Sequence, residues 1–371
     1  MATPLCPYFG VCGGCSLQDV DYSLQVDGKR TKLADTLGLD KVSASVGSEY
    51  FYRSRMDFSF YPGGLGFRER GRWDRHFDVE RCVISNGGVN KVLAEVREFF
   101  RDVDAFDVRA HTGSFRHVVI RAPSGGSSVS LILNKESKRL PEAVERIREF
   151  ALVTSADTVM ASYLKPETEA SLCDDYMTVK GSQMLSEVYS GREFMFHAQG
   201  FFQNNPQVSQ MMHEHVSGIL GGYETKNAHM LDLYGGVGTF GIINADLFEG
   251  VSVVENDVKS IMAAQENIIR NNVANVKAVP YDASKLKSLD FPRPLFVVTD
   301  PPRRGMHPKT VERINELKPE AVVYISCNRG NLANDIPKFI GYEVKSAALF
   351  DMFPQTPHIE AVVELNRRGG Q

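Results

Sequence analysis

From about residue 197 onward the chain alternates short apolar runs with amphipathic stretches. Met230–Tyr234, Val251–Glu255, Val276–Pro280, Leu295–Asp300 and Ala321–Ser326 read as strands, and the stretches between them as helices. That order implies parallel strands with crossover helices, hence a doubly wound α/β sheet. Asn205-Pro206 offers a cap and a first-turn proline for a helix to about Leu220, stopped by Gly221-Gly222. The N-terminal half has a different pattern. Phe58–Tyr61 runs into Pro62-Gly63-Gly64, and His117–Arg121 and Val129–Leu133 flank a Ser/Gly-rich loop as a hairpin would. Helical spacing of apolar residues appears around Lys91–Val103 and Leu140–Phe150. The expected organisation is an α+β domain over residues 1–196 and a Rossmann-like doubly wound domain over 197–371.

Composition narrows the class. A chain of 371 residues fits two domains, and 43% hydrophobic with 24% charged residues fits a globular protein. No apolar run reaches the ~18 residues needed to span a bilayer, and the N-terminus lacks the basic and apolar regions of a signal peptide. The expectation is a cytoplasmic protein with no membrane partner. A net charge of −4 argues against coating nucleic acid through bulk charge, but it permits a local basic face. Six cysteines are too sparse for a disulfide scaffold.

Candidate chemistry lies at the strand ends, where open α/β sheets bind ligands. Asp232-Leu233-Tyr234-Gly235-Gly236-Val237-Gly238-Thr239-Phe240-Gly241 ends one strand and opens a helix. The next strand ends in Glu255, placed as the carboxylates that hold a nucleotide ribose commonly are. Enzymes using NAD and enzymes using adenosylmethionine share this loop. Asp300-Pro301-Pro302-Arg303-Arg304-Gly305 ends the fourth strand with an acid on a loop stiffened by prolines. Ala321–Ser326 is followed by Cys327 and Asn328, before a helix expected over Asn331–Phe339. Helix N-termini favour a thiolate. Near the C-terminus Pro354–Glu360 leads into the apolar strand Ala361–Leu365.

With Phe201-Phe202-Gln203-Asn204-Asn205, these motifs stand in an order that resembles the RNA uracil-C5 methyltransferase family, over about 160 residues. The resemblance implies adenosylmethionine as cofactor and RNA, either tRNA or rRNA, as partner. It implies that Cys327 is the nucleophile and Glu360 the base, with Gln203, Tyr234, Thr239, Glu255 and Asp300 lining the adenosylmethionine and uracil pockets. The chemistry suits those residue types. A thiolate adds to uracil C6, making C5 nucleophilic toward a methylsulfonium, and a carboxylate then takes the C5 proton. The chain departs from the family at Gly235, often a cysteine, and at Asn328-Arg329-Gly330, where Asn-Pro is usual. Two other readings stay open. An RNA cytosine-C5 methyltransferase would call for a second catalytic cysteine, which is not evident beside Asp300-Pro301-Pro302. An inactive RNA-binding or folding factor fits poorly with intact Cys327 and Glu360.

Cys6, Cys12 and Cys15 read C-x5-C-x2-C, and Cys82 is a distant fourth. By spacing, zinc and a [4Fe–4S] cluster are equally compatible. The family resemblance implies [4Fe–4S]. Many relatives carry an N-terminal oligonucleotide-binding barrel, for which the position of Cys6 leaves no room, so RNA contact falls to other segments. Tyr52–Arg81 interleaves seven arginines with aromatic residues, among them Trp73, and is expected to contact RNA.

Overall fold

The computed structural model describes residues 2–171 and 173–369. The chain forms two compact units, and neither is continuous in sequence. One comprises Met1–Asp21, Ser48–Glu187 and His197–Pro206, the other Tyr22–Gly47, Val188–Phe196 and Gln207–Gln371. The single boundary expected at 196/197 is therefore not where the chain divides. The cause is an early excursion, α1 (Tyr22–Leu37) and β1 (Ser43–Ser45), which folds with the C-terminal half. The buried face of α1 is Gln25, Lys29, Leu33 and Ala34. Half of it is polar, so the helix carries no clear apolar stripe to signal its packing.

The first unit contains β2 (Arg55–Tyr61), β3 (Gly64–Arg68), β4 (His76–Asp78), α2 (Gly87–Phe99), β5 (Phe115–Arg121), β6 (Ser128–Asn134), α3 (Leu140–Val153), β7 (Thr158–Leu164) and β8 (Tyr176–Lys180). The strands form one sheet in the order β4-β3-β2-β5-β6-β7-β8. All neighbours are antiparallel except β6 and β7, which α3 connects. Strand alternation splits the sheet into two faces. Met56, Phe58 and Phe60 of β2 join one apolar core with Val92 and Val96 of α2 and Ile147 and Phe150 of α3. The other face of β2 carries Arg55, Asp57, Ser59 and Tyr61, and register sets Arg121 opposite Arg55 and His117 opposite Ser59. Helix α2 starts four residues before the expected Lys91 because Asn86 caps it, accepting the Val89 N–H at 2.9 Å.

A hairpin, β9 (Met184–Tyr189) and β10 (Arg192–His197), comes next, and its Val188–Phe196 portion belongs to the second unit. There follow α4 (Pro206–Gly221), β11 (His229–Leu233), α5 (Thr239–Ile243), β12 (Gly250–Glu255), α6 (Val258–Arg270), β13 (Val276–Pro280), β14 (Leu295–Thr299), α7 (Pro308–Leu317), β15 (Ala321–Ser326), α8 (Arg329–Asp335), β16 (Tyr342–Phe350) and β17 (Glu360–Arg367). The sheet order is β1-β16-β17-β15-β14-β11-β12-β13. The five expected strands are parallel, with β14 and β15 fully buried as strands covered on both faces should be. The sheet as a whole is mixed, because the C-terminal strand, whose direction the sequence pattern left open, is antiparallel to its neighbours. Strand β17 lies between β15 and β16 and runs against both. Chain order reverses between β11 and β14, which is where such a sheet opens a crevice at its carboxyl edge. Among the described residues no helix is long and apolar enough to cross a membrane.

Helix α1 reaches the loop between β16 and β17 through buried polar contacts. Lys29 donates to Asp351 at 2.6 Å and to the Phe353 carbonyl at 3.1 Å, and Gln25 donates to Gln355 at 2.9 Å. The ion pair is almost fully buried, with side chains 3% and 0% exposed. Removing one partner of such a pair strands the other charge, whereas replacing both with apolar groups does not. We therefore expect Lys29→Met to lower unfolding free energy by ~3–5 kcal/mol. The Lys29→Met/Asp351→Leu double variant should recover most of that loss. Urea denaturation of the three proteins checks this, and equal losses in the single and double variants would show that the pair is not the cause.

Candidate active site

The turn after β11 is shaped by residues that only its sequence allows. Tyr234, Gly236 and Gly238 all have positive φ, at 58°, 54° and 86°. A Cβ on Gly235 would come within 2.6 Å of Val253, so the cysteine common in relatives has no space here. Asp232, buried inside the turn, accepts the Gly241 N–H at 2.8 Å. Burial pushes its carboxyl up to about 7, with the neighbouring Asp300 and Glu255 adding to the effect. Glu255 accepts the Gly236 N–H at 3.0 Å through one oxygen, and the Asn256 and Asp257 N–H groups at 2.7 and 2.8 Å through the other. It thus fixes the glycine loop while its spare lone pairs remain at the strand end. Thr239 is the first residue of α5. The Tyr234 hydroxyl is 3.5 Å from the Thr310 hydroxyl, and burial raises its pKa. Asp282, two residues past β13, stands within electrostatic reach of Tyr234. Motif reading missed it, although an acid just beyond a strand of such a sheet is a usable signal.

The register of β14, β15 and β17 gathers the reactive groups. Leu233 pairs with Thr299, so Tyr234 and Asp300 leave the sheet side by side. Ser326 pairs with Ala361, and one step beyond that pair stand Cys327 and Glu360. Glu360 is 3% exposed and its Oε1 has no hydrogen-bond partner. Burial holds its pKa well above the usual carboxyl range, Asp300 raises it further, and Arg303 opposes both. Burial likewise pushes Asp300 up to about 7. The Cys327 thiol is pushed up to about 11 by burial, then by Glu360 and Asp300, while Arg303 favours the thiolate. Three acidic groups therefore share one low-dielectric site, with Arg303 favouring the charged forms of Cys327 and Glu360.

The two loops that carry these groups are tied to each other. Asn328 and Asn331 both donate from Nδ2 to the Arg303 carbonyl. Asp335 accepts from Met306 N–H at 2.9 Å and from the Tyr324 hydroxyl at 2.8 Å. Where relatives have Asn-Pro, Asn328 here caps α8 by accepting from Gly330 and Asn331 N–H at 2.9 and 3.2 Å. The expected helix over Asn331–Phe339 starts earlier, at Arg329, and after Asp335 becomes a 3₁₀ turn over Ile336–Lys338.

Gln203 and the four N-terminal cysteines belong to the first unit, apart from the residues just described. The Gln203 loop is held there by Arg121, which donates to the Gly200 carbonyl, and by Ser54, whose N–H and hydroxyl donate to the Asn204 carbonyl at 2.8 and 3.2 Å. Cys6, Cys12, Cys15 and Cys82 are unpaired by disulfides. Burial raises the pKa values of Cys6, Cys12 and Cys15, with neighbouring thiols adding to the effect, and Cys15 is pushed up to about 12. Among the described residues no three His, Cys, Asp or Glu side chains form a group that could hold a metal ion.

Fold and strand-end site together define an α/β methyltransferase. The family described as tRNA (uracil-5-)-methyltransferase matches residues 175–368. Two tRNA (uracil(54)-C(5))-methyltransferases, from Pyrococcus abyssi and Pyrococcus horikoshii, are 30% and 31% identical over 98% and 97% of this chain, across 85% of their own lengths. The crystal structure of Pyrococcus abyssi tRNA (uracil-54, C5)-methyltransferase in complex with S-adenosyl-L-homocysteine matches with a TM-score of 0.81 at 27% identity, covering 96% of this chain and 86% of that one. The chain belongs to the tRNA (uracil-5-)-methyltransferase family and is an RNA uracil-C5 methyltransferase.

A Cys327 pKa of about 11 in the ligand-free protein fixes the sign of its pH dependence. The reactive thiolate is the deprotonated form, so alkylation by iodoacetamide should rise about tenfold per pH unit from pH 7 to 10. Site-resolved mass spectrometry measures this at Cys327 alone. Arg303→Ala should slow the reaction at every pH in that range. A plateau above pH 9 would mean that the thiol is not held up by its acidic neighbours.

Proposed function

We propose that this protein transfers the methyl group of S-adenosylmethionine to C5 of a uridine in tRNA, with Cys327 as nucleophile and Glu360 as base. The observation that carries this assignment is the strand register that sets Cys327 and Glu360 opposite each other beside Asp300. The uridine is the counterpart of position 54 named for the Pyrococcus relatives. The crevice at the β11/β14 reversal suits the cofactor. The glycine loop admits close approach, Glu255 stands where ribose hydroxyls would bond, and Tyr234, Thr239 and Asp300 complete the wall. A tRNA-modifying enzyme of this kind works in the cytoplasm.

In this reading the Cys327 thiolate forms a bond to uracil C6, and the displaced electron pair is held as an enolate across C5 and O4. C5 then bonds to the methyl carbon supplied by the cofactor, whose sulfur leaves neutral. The Glu360 carboxylate takes the C5 proton, the C5–H pair re-forms the ring double bond, and the C6–S bond breaks to return the thiolate. A buried carboxylate without a hydrogen-bond partner is a strong base once ionised, which is what removal of a carbon-bound proton requires. Arg303 supports both reactive anions. A uridine within a folded tRNA must leave its stack to reach Cys327.

We infer further that Cys6, Cys12, Cys15 and Cys82 hold a [4Fe–4S] cluster. Their mutual electrostatic influence supports this, as does Gln18. The Gln18 amide nitrogen is buried without a partner at hydrogen-bond distance, yet lies near enough to Cys15 to favour its thiolate. The four thiols are within electrostatic reach of one another without being drawn together into a closed metal-holding group, and thiolates are the donor type that iron and zinc take. The methyl transfer moves no electron through the cluster, so its role is to brace the segment around Cys6–Cys15.

Incubation with labelled cofactor and tRNA, then digestion to nucleosides, should yield 5-methyluridine. Cys327→Ala should give none while still binding adenosylmethionine, and Glu360→Gln should accumulate a denaturation-resistant protein–RNA adduct. Normal turnover by Cys327→Ala would overturn the nucleophile assignment. 5-Methylcytidine would move the enzyme to cytosine chemistry. Anaerobically purified protein should be brown, absorb near ~400 nm and carry about four irons per chain. One zinc and no iron would replace the cluster with a structural zinc site.

A further inference from the structure

On the polar face of the first unit's sheet lies a recess of some 500 Å³ counting its open mouth. Its walls include Trp73, His76, Phe106, Arg116 and His117, and neither Cys327 nor Glu360 belongs to this unit. Trp73 is 61% exposed, a large apolar side chain presented to solvent. Arg116 is 3% exposed, and no carboxylate lies within ion-pair distance of it among the described residues. Its terminal nitrogens donate to the Lys165 and Thr168 carbonyls, and its guanidinium carbon lies 4.3 Å from the Phe106 ring centre. Arg116 Nε remains buried without a partner. A buried cationic group with an unused donor at a recess wall calls for an acceptor from outside.

The charge and shape of the recess specify that acceptor. His117 bonds to Ser59 at 3.1 Å, and burial with Arg116 and Arg68 nearby pushes its pKa down to about 4, so it is neutral at pH 7. His76 is lowered as well, by burial and Arg68, and stacks on Tyr61. Glu167 and Glu169 at the rim offset Arg116 and Arg68, and Arg68 pairs with Glu169 at 3.4 Å. The recess is thus close to neutral overall, lined by rings, and equipped with ring-edge donors and acceptors. A phosphate would not suit it. A planar, uncharged heterocycle would.

Arg70, Arg72 and Arg75, on the same stretch of chain as Trp73, are exposed and form no ion pair among the described residues, in a chain whose net charge is −4. Those cations fit the phosphates that flank a base. We propose that the recess takes a second unstacked base of the substrate RNA, distinct from the uridine that is methylated, with Trp73 as its stacking platform. The assignment rests on the RNA reading above.

Trp73 is the chain's one tryptophan, so emission excited beyond the tyrosine absorption band reports on Trp73 alone. Titration of the full-length protein with transcribed tRNA should quench Trp73 emission saturably, in step with filter binding. Trp73→Ala should weaken tRNA binding by about 5- to 100-fold, and Trp73→Phe, which keeps a stacking face, should restore it to within about threefold. Formation of 5-methyluridine with no change in emission and parental binding by Trp73→Ala would overturn the site, leaving the methyltransferase reading intact. Equal quenching by heparin would also overturn it, since that polyanion has no bases. Quenching by tRNA and loss in Trp73→Ala, but no 5-methyluridine, would keep the site and remove the enzymatic reading instead.

Discussion

The position of β17 between β15 and β16 is the constraint on which the reactive site depends. Because β17 runs against β15, its first residues meet the last residues of that strand, and the Ser326–Ala361 pair brings Cys327 and Glu360 to the same edge. A parallel strand in that slot would deliver its opposite end, and the carboxylate would stand a full strand length away. Side-chain period along a strand is two, so a one-residue slip would turn Glu360 to the other face. Slippage is opposed by the buried stretch from Ala361 to Leu365, apolar except for Glu364, which is tied to Ser346 and Lys345 of β16, and by the second ladder to that strand.

That geometry crowds Cys327, Glu360 and Asp300 into one buried place, at an electrostatic cost that the surrounding loops must sustain. Burial raises all three, Asp300 raises Glu360 further, both carboxyls raise Cys327, and Arg303 relieves Cys327 and Glu360. Hence the importance of the Asn328 and Asn331 bonds to the Arg303 carbonyl and of the Asp335 bonds to both loops. They hold the cation's backbone where the charge is needed. With its thiol pushed up to about 11, Cys327 is chiefly protonated at neutral pH. A cationic sulfonium or the donor groups of a bound base would shift all three acids toward their charged forms.

Much of this architecture was legible in the sequence. The five parallel strands were visible as apolar runs, and the motifs from Tyr234 to Cys327 stand at their carboxyl ends, where such sheets bind ligands, whereas Glu360 opens the antiparallel β17. Strand β16 was not visible: Tyr-Glu-Val-Lys-Ser-Ala-Ala-Leu-Phe is polar at its exposed beginning and apolar only where it is buried. Helix α1 was missed for a related reason, since two of its four buried side chains are Gln25 and Lys29. Pattern reading assumes that buried means apolar, and here the partners that make polar burial tolerable are more than three hundred residues away. Asp282 and the capping role of Asn328 needed the actual turns.

The excursion of α1 into the second unit therefore has a consequence for the site. The loop from Asp351 to Ile359 must return the chain and enter β17 at Glu360, and a loop of that length has conformational entropy to lose. Lys29 holds Asp351 and the Phe353 carbonyl, and Gln25 both donates to Gln355 and accepts its N–H. Gln355 itself has φ +67°, a left-handed conformation that needs such support. Polar bonds are directional where apolar contacts are not. A helix packed by leucines would stabilise the same loop but permit it to slide, whereas Gln25 and Lys29 fix its height and rotation. Polar burial on α1, which hid the helix from pattern reading, is thus the feature that makes it suited to locating the strand behind Glu360.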